Sequence, residues 1–523
     1  PHVRLASEAV DLGGPEGYLD LEGVIAAARR TGSTAIHPGY GFLSQNAAFA
    51  RRCAQEGIVF IGPSPEAMEA LGDKRGSRKT AEGLGIPVVP GVRDVDSLEE
   101  ARAGAQRVGY PVLLKAAGGG GGKGMRLVSG PGELEAAHEA ARREAVSAFG
   151  DGRLILEKYI SPARHVEVQI LGDGSQAVSL GERECSLQRR YQKVIEESPS
   201  PGIGPKTREG LVASALALAR AVGYRNAGTV EFLVAPDGSH AFLEVNTRLQ
   251  VEHPVTEMLT GLDVVRAQIE IVQGRPLPAV PSPRGHAIEA RLYAEDAHHG
   301  YLPETGRLES LRWPQIPWLR IDSGLLEGME ITPHYDPLLA KVIAWGAGRE
   351  EARVRLLEAL GEIQIRGIGT NRAFLRQVLE SEAFRKGETY TTTLETATWP
   401  EPEEEALAGA VRAAPRERSG DPYSPWSGMG PARPGDRRRA ARRSRSAHRG
   451  TNSREIRAPM TGRIVKVLAA PGLGVRANDV VVIMEAMKME YRLSAPREGE
   501  VATVHCKGGD WVDLDQVLVT LKP

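Results

Sequence analysis

Between residues 228 and 257 apolar and polar side chains alternate, and the alternation is interrupted once, at a turn. In GTVEFLVAPDGSHAFLEVNTRLQVEHPVTE a strand-like run carrying Glu231 meets Pro236-Asp237-Gly238 and returns through Phe242-Leu243-Glu244, which predicts a β-hairpin. On the return, Glu244, Asn246, Arg248, Gln250 and Glu252 hold the even positions, with Val245, Thr247, Leu249 and Val251 between them. A chain that stayed extended would turn all five polar groups to one side. Elsewhere in residues 1–396, short apolar runs such as Ala35-Ile36, Ile58–Ile61 and Pro111–Leu114 alternate with helical patterns. That alternation predicts an α/β fold.

The pattern at the other end of the chain is a repeat. At an offset of 37, Ala458-Pro459 meets Ala495-Pro496, Gly462 meets Gly499, Val475 meets Val512, and Val480 and Val482 meet Val517 and Val519. Two similar strand-rich halves predict a small flattened barrel or sandwich. The stretch VVIMEAMKMEYRL (481–493) joins the halves, and a hairpin turn is expected at Lys488. Four of the nine methionines fall at 460, 484, 487 and 489, and two of these flank Lys488. An exposed lysine at a rigid hairpin tip is a place to attach something.

Between these regions, residues 397–453 are acidic, then rich in Gly, Pro and Ser, then strongly basic, with seven arginines between 437 and 449. This composition predicts a disordered linker spanning about 40 Å as a flexible coil. The arginine run has no interleaved aromatic residues and no folded module around it, so it reads as solvated linker rather than a nucleic-acid grip. Whole-chain composition adds no bias toward nucleic acid or membrane: 41% apolar, 25% charged, formal net charge −1. No apolar run approaches transmembrane length. The length suits about two to four domains. Cys53, Cys185 and Cys506 are too far apart to suggest a disulfide framework or a metal spacing, and a reducing, cytoplasmic compartment is the default.

Two features carry phosphate and metal chemistry. Five consecutive glycines, Gly118–Gly122, precede Lys123-Gly124 and lie between apolar runs. They predict a hairpin loop whose bare N–H groups close over phosphates, with Lys115 within reach as a point charge. The absence of Ser or Thr after Lys123 and the strand flanks set it apart from a Walker loop. In the alternating hairpin, Glu231 and Glu244 on adjacent strands, with Asn246, make a hard-oxygen site suited to Mg²⁺ bridging nucleotide phosphates. Arg248 offers a planar fork for a small oxyanion, and Glu252, beyond the metal, is placed for proton transfer.

Ala486-Met487-Lys488-Met489, preceded by Ala458-Pro459-Met460 and followed by Gly508–Val512, resembles the attachment motif of biotinyl domains. IHPGYGFLS (36–44), GDK (72–74), the glycine loop, EKYI (157–160), RHVEVQ (164–169), ERECSLQRRYQKVIEE (182–197) and the alternating hairpin together resemble the biotin carboxylase family. That resemblance implies an ATP-grasp fold, α/β and α+β, with a small all-β biotinyl/lipoyl-type domain appended, as in the biotin-containing α subunit of an acyl-CoA carboxylase. It implies the remainder of an N-terminal domain over 1–73, an ATP-grasp domain over 74–275 with its glycine-loop lid at about 88–158, a C-terminal carboxylase domain over 276–396, the linker, and a biotinyl domain over 454–523. The family's first strand–helix unit is expected to be missing, so the carboxylase is expected to be N-terminally truncated.

The resemblance also implies roles. Lys74, Lys115, Gly120, Gly121 and Gly122 correspond to nucleotide-phosphate contacts. Glu157 and Lys158 correspond to the adenine hinge, with His165 and Gln188 near the nucleotide. Glu231, Glu244 and Asn246 match the Mg²⁺ (or Mn²⁺) site, Arg248, Gln250 and Val251 the bicarbonate site, and Glu252 the general base. Lys193 matches the lysine that holds carboxyphosphate, Arg320 the arginine that stabilises the enolate of biotin, and Tyr40 the biotin pocket. Cys185 is expected to be a buried neighbour of the site. Gln45 stands where the family usually has Glu. The implied cofactors are covalent biotin on Lys488, ATP and Mg²⁺. The implied partners are a biotin protein ligase, a carboxyltransferase β subunit and further copies of the chain. The competing expectations are another ATP-grasp ligase with a lipoyl-like appendage, and a catalytically inactive biotin carrier.

Overall fold

The computed structural model describes residues 2–117, 125–149, 151–298, 300–400, 454–486 and 489–522. Near the N-terminus two short strands, Ala35–Ile36 and Val59–Phe60, pair in parallel against the Leu21–Thr31 and Ala47–Gln55 helices. Asp20 and Asn46 cap those helices by accepting from Gly23 N and Phe49 N, satisfying N–H groups that have no partner within the helix.

A four-stranded sheet follows, built from β1 (Gly91–Val95), β2 (Val112–Ala116), β3 (Arg126–Val128) and β4 (Leu154–Lys158) in the order β1-β4-β2-β3. The Pro111–Leu114 run is β2, buried at every position, because the Leu98–Val108 and Leu134–Phe149 helices cover the sheet. β2 and β3 pair antiparallel, on either side of the glycine run. Gly120, Gly121 and Gly122 lie outside the described residues.

The central sheet has eight strands: β5 (Arg164–Asp173), β6 (Ala177–Arg189), β7 (Gln192–Ser198), β8 (Arg225–Val234), β9 (His240–Asn246), β10 (His286–Tyr293), β11 (Leu319–Ser323) and β12 (Leu338–Gly346). Their order is β9-β8-β5-β6-β7-β10-β12-β11, antiparallel throughout. Two cores flank it. One packs the Pro205–Ala221 helix onto β5 and β8; the other packs the Arg349–Glu362 and Arg372–Glu380 helices onto β7, β10 and β12. Trp399 packs on Phe374 at 5.4 Å and donates to the Leu394 carbonyl, so the carboxylase body continues past residue 396.

The C-terminal repeat becomes two four-stranded sheets, from β13 (Glu455–Arg457), β14 (Gly462–Val467), β15 (Gly474–Val475), β16 (Val480–Ala486), β17 (Met489–Ser494), β18 (Gly499–Val504), β19 (Trp511–Val512) and β20 (Val517–Leu521). The sheet orders are β13-β20-β18-β15 and β17-β16-β14-β19. Advancing each strand by half the set turns one order into the other, so the repeat in sequence is a two-fold exchange of strands between sheets. β16 and β17 pair antiparallel up to Ala486 and Met489. Met487 and Lys488 themselves lie outside the described residues, as do 401–453.

Candidate active site

The hairpin at 228–257 forms as predicted as far as Asn246: β8 and β9 pair with Glu231 opposite Glu244. Beyond Asn246 the chain leaves the strand. The five even-numbered residues are therefore not one strand face. Arg248 and Gln250 lie in an irregular connection, and Glu252 occupies the N-cap of α1 (His253–Thr260), where Pro254 favours helix initiation. They still converge, because the connection folds back over the sheet. Arg248 Nη1 donates to Gln250 Oε1 at 3.0 Å, and Gln250 Nε2 donates to Glu231 Oε1 at 3.2 Å. Asn246 Nδ2 also donates to Glu231 Oε1, at 2.9 Å. Gln45, the departure noted above, accepts from Arg248 Nε at 3.3 Å.

Lys193, on β7, organises the centre. Its Nζ donates to Glu167 Oε2 at 2.5 Å, Glu252 Oε1 at 2.7 Å and Glu231 Oε1 at 2.9 Å. Arg291, on β10, donates to Glu196 Oε1 at 2.6 Å and Glu252 Oε2 at 2.9 Å. Arg183 binds the other oxygen of Glu167 at 2.6 Å. Burial alone would raise the Glu252 carboxyl, but Lys193, Arg291 and Arg183 outweigh it and hold it well below the ordinary range. Glu231 is lowered by the same contest, with Lys193 and His165 opposing burial. Burial would lower Lys193, yet its three carboxylates raise it well above the ordinary lysine value. Lys193 and Glu252 are thus both ionised at neutral pH. Glu196 is pushed by burial to about 7, against Arg291, and burial pushes Glu289 well upward.

Such a cluster is sensitive to loss of its cation, since an uncompensated buried charge costs about 3–5 kcal/mol. Lys193→Met is therefore expected to destabilise the carboxylase body by about that amount at pH 7. In the parent the depressed Glu231 and Glu252 contribute stability above their unfolded value of about 4.3, and lose it as pH falls through their folded values. In the variant the same carboxyls, buried without Lys193, must protonate or pay for ionising. The deficit should widen from about pH 4 upward in chemical denaturation. An equal deficit at pH 4 and pH 7 would contradict this account.

The nucleotide-side residues gather around the same space. Gln188 Nε2 donates to His165 Nδ1 at 2.7 Å, so a neutral His165 ring carries its proton on Nε2, which faces Glu231 Oε2 at 3.2 Å. Lys115 meets Glu157 Oε2 at 2.5 Å, and Arg78 meets Glu157 Oε1 at 3.1 Å. Opposed by burial, these cations keep Glu157 below its ordinary pKa. Lys158 donates to the Gly109 and Tyr110 carbonyls at 3.0 and 2.8 Å, tying β4 to the approach of β2. Lys74 follows the N-cap Asp73 of the Lys74–Gly83 helix and approaches Glu244 at 3.6 Å.

One cavity of about 420 Å³ is lined by every sequence-predicted nucleotide, metal and bicarbonate residue among the described ones, including Val251, and by Lys193 and Glu252. Arg320 and Tyr40 are not among its lining residues. Tyr40, with Lys341 5.8 Å from its ring, lines a neighbouring cleft, and Arg320 lines another. The two clefts share His253 and Val265. Arg320 donates to Glu257 Oε2 at 2.5 Å and to both oxygens of Asp322 at 2.8 and 3.0 Å. Cys185 is fully buried, and burial raises its thiol well above the ordinary value, which fits a neighbour rather than a nucleophile.

Glu231, Glu244 and Asn246 offer the hard oxygens a divalent cation takes. The structure adds a second grouping: single ligand atoms of His165, Glu167 and Glu231 lie within 4.8 Å of one another. Glu167, Arg291, Glu196 and Glu257 escaped the reading of the sequence. The alternation of His165, Glu167 and Gln169 in RHVEVQ, and of Glu289 and Arg291 in HAIEARLY, was the available signal.

Four family profiles match the chain: biotin carboxylase N-terminal domain over 1–68, carbamoyl-phosphate synthase L chain ATP binding domain over 73–280, biotin carboxylase C-terminal domain over 289–396, and biotin-requiring enzyme over 454–521. The chain belongs to the biotin carboxylase family and carries a biotinyl domain behind the carboxylase. The biotin-dependent acyl-coenzyme A carboxylase alpha3 subunit of Mycobacterium leprae is 40% identical, covering 100% of this chain and 92% of that one. The mitochondrial methylcrotonoyl-CoA carboxylase subunit alpha of Oryza sativa is 47% identical over 397 residues, 74% of this chain and 54% of the relative. The chain thus spans about half the length of that relative. Among solved structures, a biotin carboxylase–β,γ-ATP complex from Campylobacter jejuni superposes with TM-score 0.74 at 40% identity, over 76% of this chain and 90% of that one. A Hydrogenobacter thermophilus 2-oxoglutarate carboxylase biotin carboxylase domain dimer, in complex with MgADP, ADP and bicarbonate, gives 0.73 at 41% identity, over 79% and 91%. No helix among the described residues is long and apolar enough to cross a membrane.

Proposed function

We propose that the chain uses ATP and bicarbonate to carboxylate biotin carried on its own C-terminal domain, the first half-reaction of an acyl-CoA carboxylase. The observation that carries this reading is the meeting of Glu252, Lys193, Arg248 and Gln250 with Glu231, Glu244 and Asn246 around one cavity. Arg248 presents its guanidinium to bicarbonate, with Gln250 fixing its direction. Glu252 accepts the bicarbonate proton. The freed oxygen attacks the γ-phosphorus and ADP departs, giving carboxyphosphate, which then splits to CO₂ and phosphate. Lys193, Lys74 and Lys115 take up charge on the phosphoryl oxygens. Glu231, Glu244 and Asn246 would hold Mg²⁺ (or Mn²⁺), which supplies further neutralisation of phosphate charge. Biotin, when bound, supplies the ureido nitrogen that receives the carboxyl group; Arg320 and Tyr40 line the clefts beside Val251–His253 that would receive its ring.

ATP cleavage measured with and without bicarbonate tests the reading. Stimulation by bicarbonate, with label appearing on biotin, supports it. Cleavage indifferent to bicarbonate would indicate another ATP-grasp ligase, and no cleavage at all an inactive carrier.

The final acceptor is proposed to be an acyl-CoA, among them methylcrotonyl-, propionyl- and acetyl-CoA, served by a separate carboxyltransferase β subunit. The relatives named above as α subunits support this division. Labelled bicarbonate is expected in acyl-CoA only when a β subunit is added, as read by acid-stable radioactivity; incorporation by this chain alone would refute it. The three free cysteines support a reducing, cytoplasm-like compartment. The relative crystallised as a dimer supports self-association of the carboxylase.

A further inference from the structure

The carrier domain does not stand clear of the carboxylase body. Leu302 of the carboxylase packs against the apolar core of the carrier. Trp511 of the carrier meets His334 of the carboxylase edge to face, ring centres 5.7 Å apart at 61°. Tyr491 is nearly fully buried, and its hydroxyl, also buried, has no hydrogen-bond partner. The charges of Arg189, Arg190 and Glu295 reach that phenol from the carboxylase.

On the carrier, the Trp511 and Tyr491 contacts lie at one end. Glu490, Glu485, Arg463 and Trp511 form a cross-strand row over β17, β16, β14 and β19. The next pair, Ala486 with Met489, closes the attachment hairpin. Trp511 therefore sits one residue pair from the hairpin tip, and Tyr491, paired with Met484, one pair behind that row.

On the carboxylase, Arg189, Arg190, Glu295 and His334 lie within two residues of side chains that line the cavity. Arg189 and Arg190 run directly into Tyr191 and Gln192, which line it. His334 is two residues from Asp336, and Glu295 two from Tyr293; Asp336 and Tyr293 line it as well. The Arg190-Tyr191 turn holds left-handed φ values of 46° and 64°, a conformation bulky residues adopt rarely. The turn therefore presents its side chains in an imposed direction.

We propose that this contact is the loading station: the carboxylase rim of Arg189–Arg190, Leu302 and His334 receives the hairpin end of the chain's own carrier domain, with Trp511 on His334 as the contact that sets its register. The proposal rests on the biotin carboxylase reading above. It assigns Trp511 and His334 to recognition of the tethered carrier and to no step of the chemistry. Free biotin, which brings no carrier, does not use them.

The test compares two acceptors in the biotinylated full chain, with labelled bicarbonate and MgATP: the chain's own biotin in a single turnover, and free biotin in steady state. Trp511→Ala and His334→Ala are each expected to slow labelling of the chain's own biotin about two- to tenfold, the range an aromatic pair supports. Free-biotin carboxylation is expected to stay at the parent rate. The double variant is expected to be no slower than the slower single, since both remove one contact, and Trp511→Phe should restore most of the rate. Trp511 remains 57% exposed in the contact, so its loss leaves the carrier core intact; intact mass confirms biotinylation of each variant. Unchanged self-labelling in both alanine variants would overturn the proposal, as would equal loss with both acceptors. A parent chain that labels neither acceptor would instead overturn the carboxylase reading itself.

Discussion

Replacing Glu252 by glutamine is expected to lower bicarbonate-dependent ATP cleavage by about 10²–10⁴-fold while leaving nucleotide affinity nearly unchanged. The amide keeps the shape of the carboxylate and can still accept from Lys193, but it can take no proton. In the substrate-free site Glu252 is a poor base, because Lys193 and Arg291 hold its carboxyl well below the ordinary range. In the proposed mechanism Lys193 would turn toward phosphoryl oxygens when nucleotide arrives. Such a movement would lessen the hold on Glu252 and make it more basic, so the proposed base would strengthen once nucleotide is bound. The groups proposed to hold nucleotide and metal, Lys74, Lys115, Glu231 and Glu244, line the same cavity and are left in place by this substitution. Initial rates of ADP formation with and without bicarbonate, together with nucleotide titration, read the two effects apart. Near-parental turnover in Glu252→Gln would remove Glu252 from the role of base.

The same residues show what a sequence can display. Glu231 and Glu244 were legible as residues of facing strands because of the Pro-Asp-Gly turn, but their direct pairing depends on a bulge at Leu243: Phe232 meets Phe242, and Glu231 then meets Glu244. Arg248, Gln250 and Glu252 were legible as companions of Glu231 and Glu244, but for a reason the structure replaces. Their convergence comes from an irregular connection and the start of a helix, not from a continued strand. Glu167, Arg291 and Glu196 were not legible as site residues. Glu167 reaches Lys193 from β5 and Arg291 reaches Glu252 from β10, and strand order across a sheet is set by long-range packing that local periodicity does not encode; Glu196, on β7 with Lys193, joins them through Arg291. Arg320 illustrates the limit from the other side. Its correspondence came from resemblance alone, and the structure engages it with Glu257 and Asp322 in a cleft beside the main cavity. The carrier domain was the most legible part, since each half of the repeat contributes strands to both sheets and the junction between halves must then be a hairpin.

That junction carries the prediction with the largest expected effect. Lys488→Ala is expected to abolish biotin attachment entirely, with the carrier domain still folded. Lys488 lies outside the described residues, but the frame around it does not: Ala486 pairs with Met489, Glu485 with Glu490, and Met484 with Tyr491, and the register allows only residues 487 and 488 at the tip. Below the tip, Met484, Ile464 and Met460 are buried in the carrier core and brace the hairpin. The alanine variant leaves the pairing of β16 with β17 up to Ala486 and Met489 in place, so the stability of the domain should hardly change. The other lysines of the domain lie on β14 (Lys466), in the loop before β19 (Lys507) and just past β20 (Lys522), so a biotin protein ligase is expected to select Lys488 by the hairpin around it. Intact mass of the chain co-produced with a biotin protein ligase should therefore show one biotinyl group in the parent and none in Lys488→Ala, and streptavidin should capture only the parent. Biotin recovered on Lys466, Lys507 or Lys522 would mean that the tip geometry does not select the lysine, and the assignment of Lys488 would fall with it.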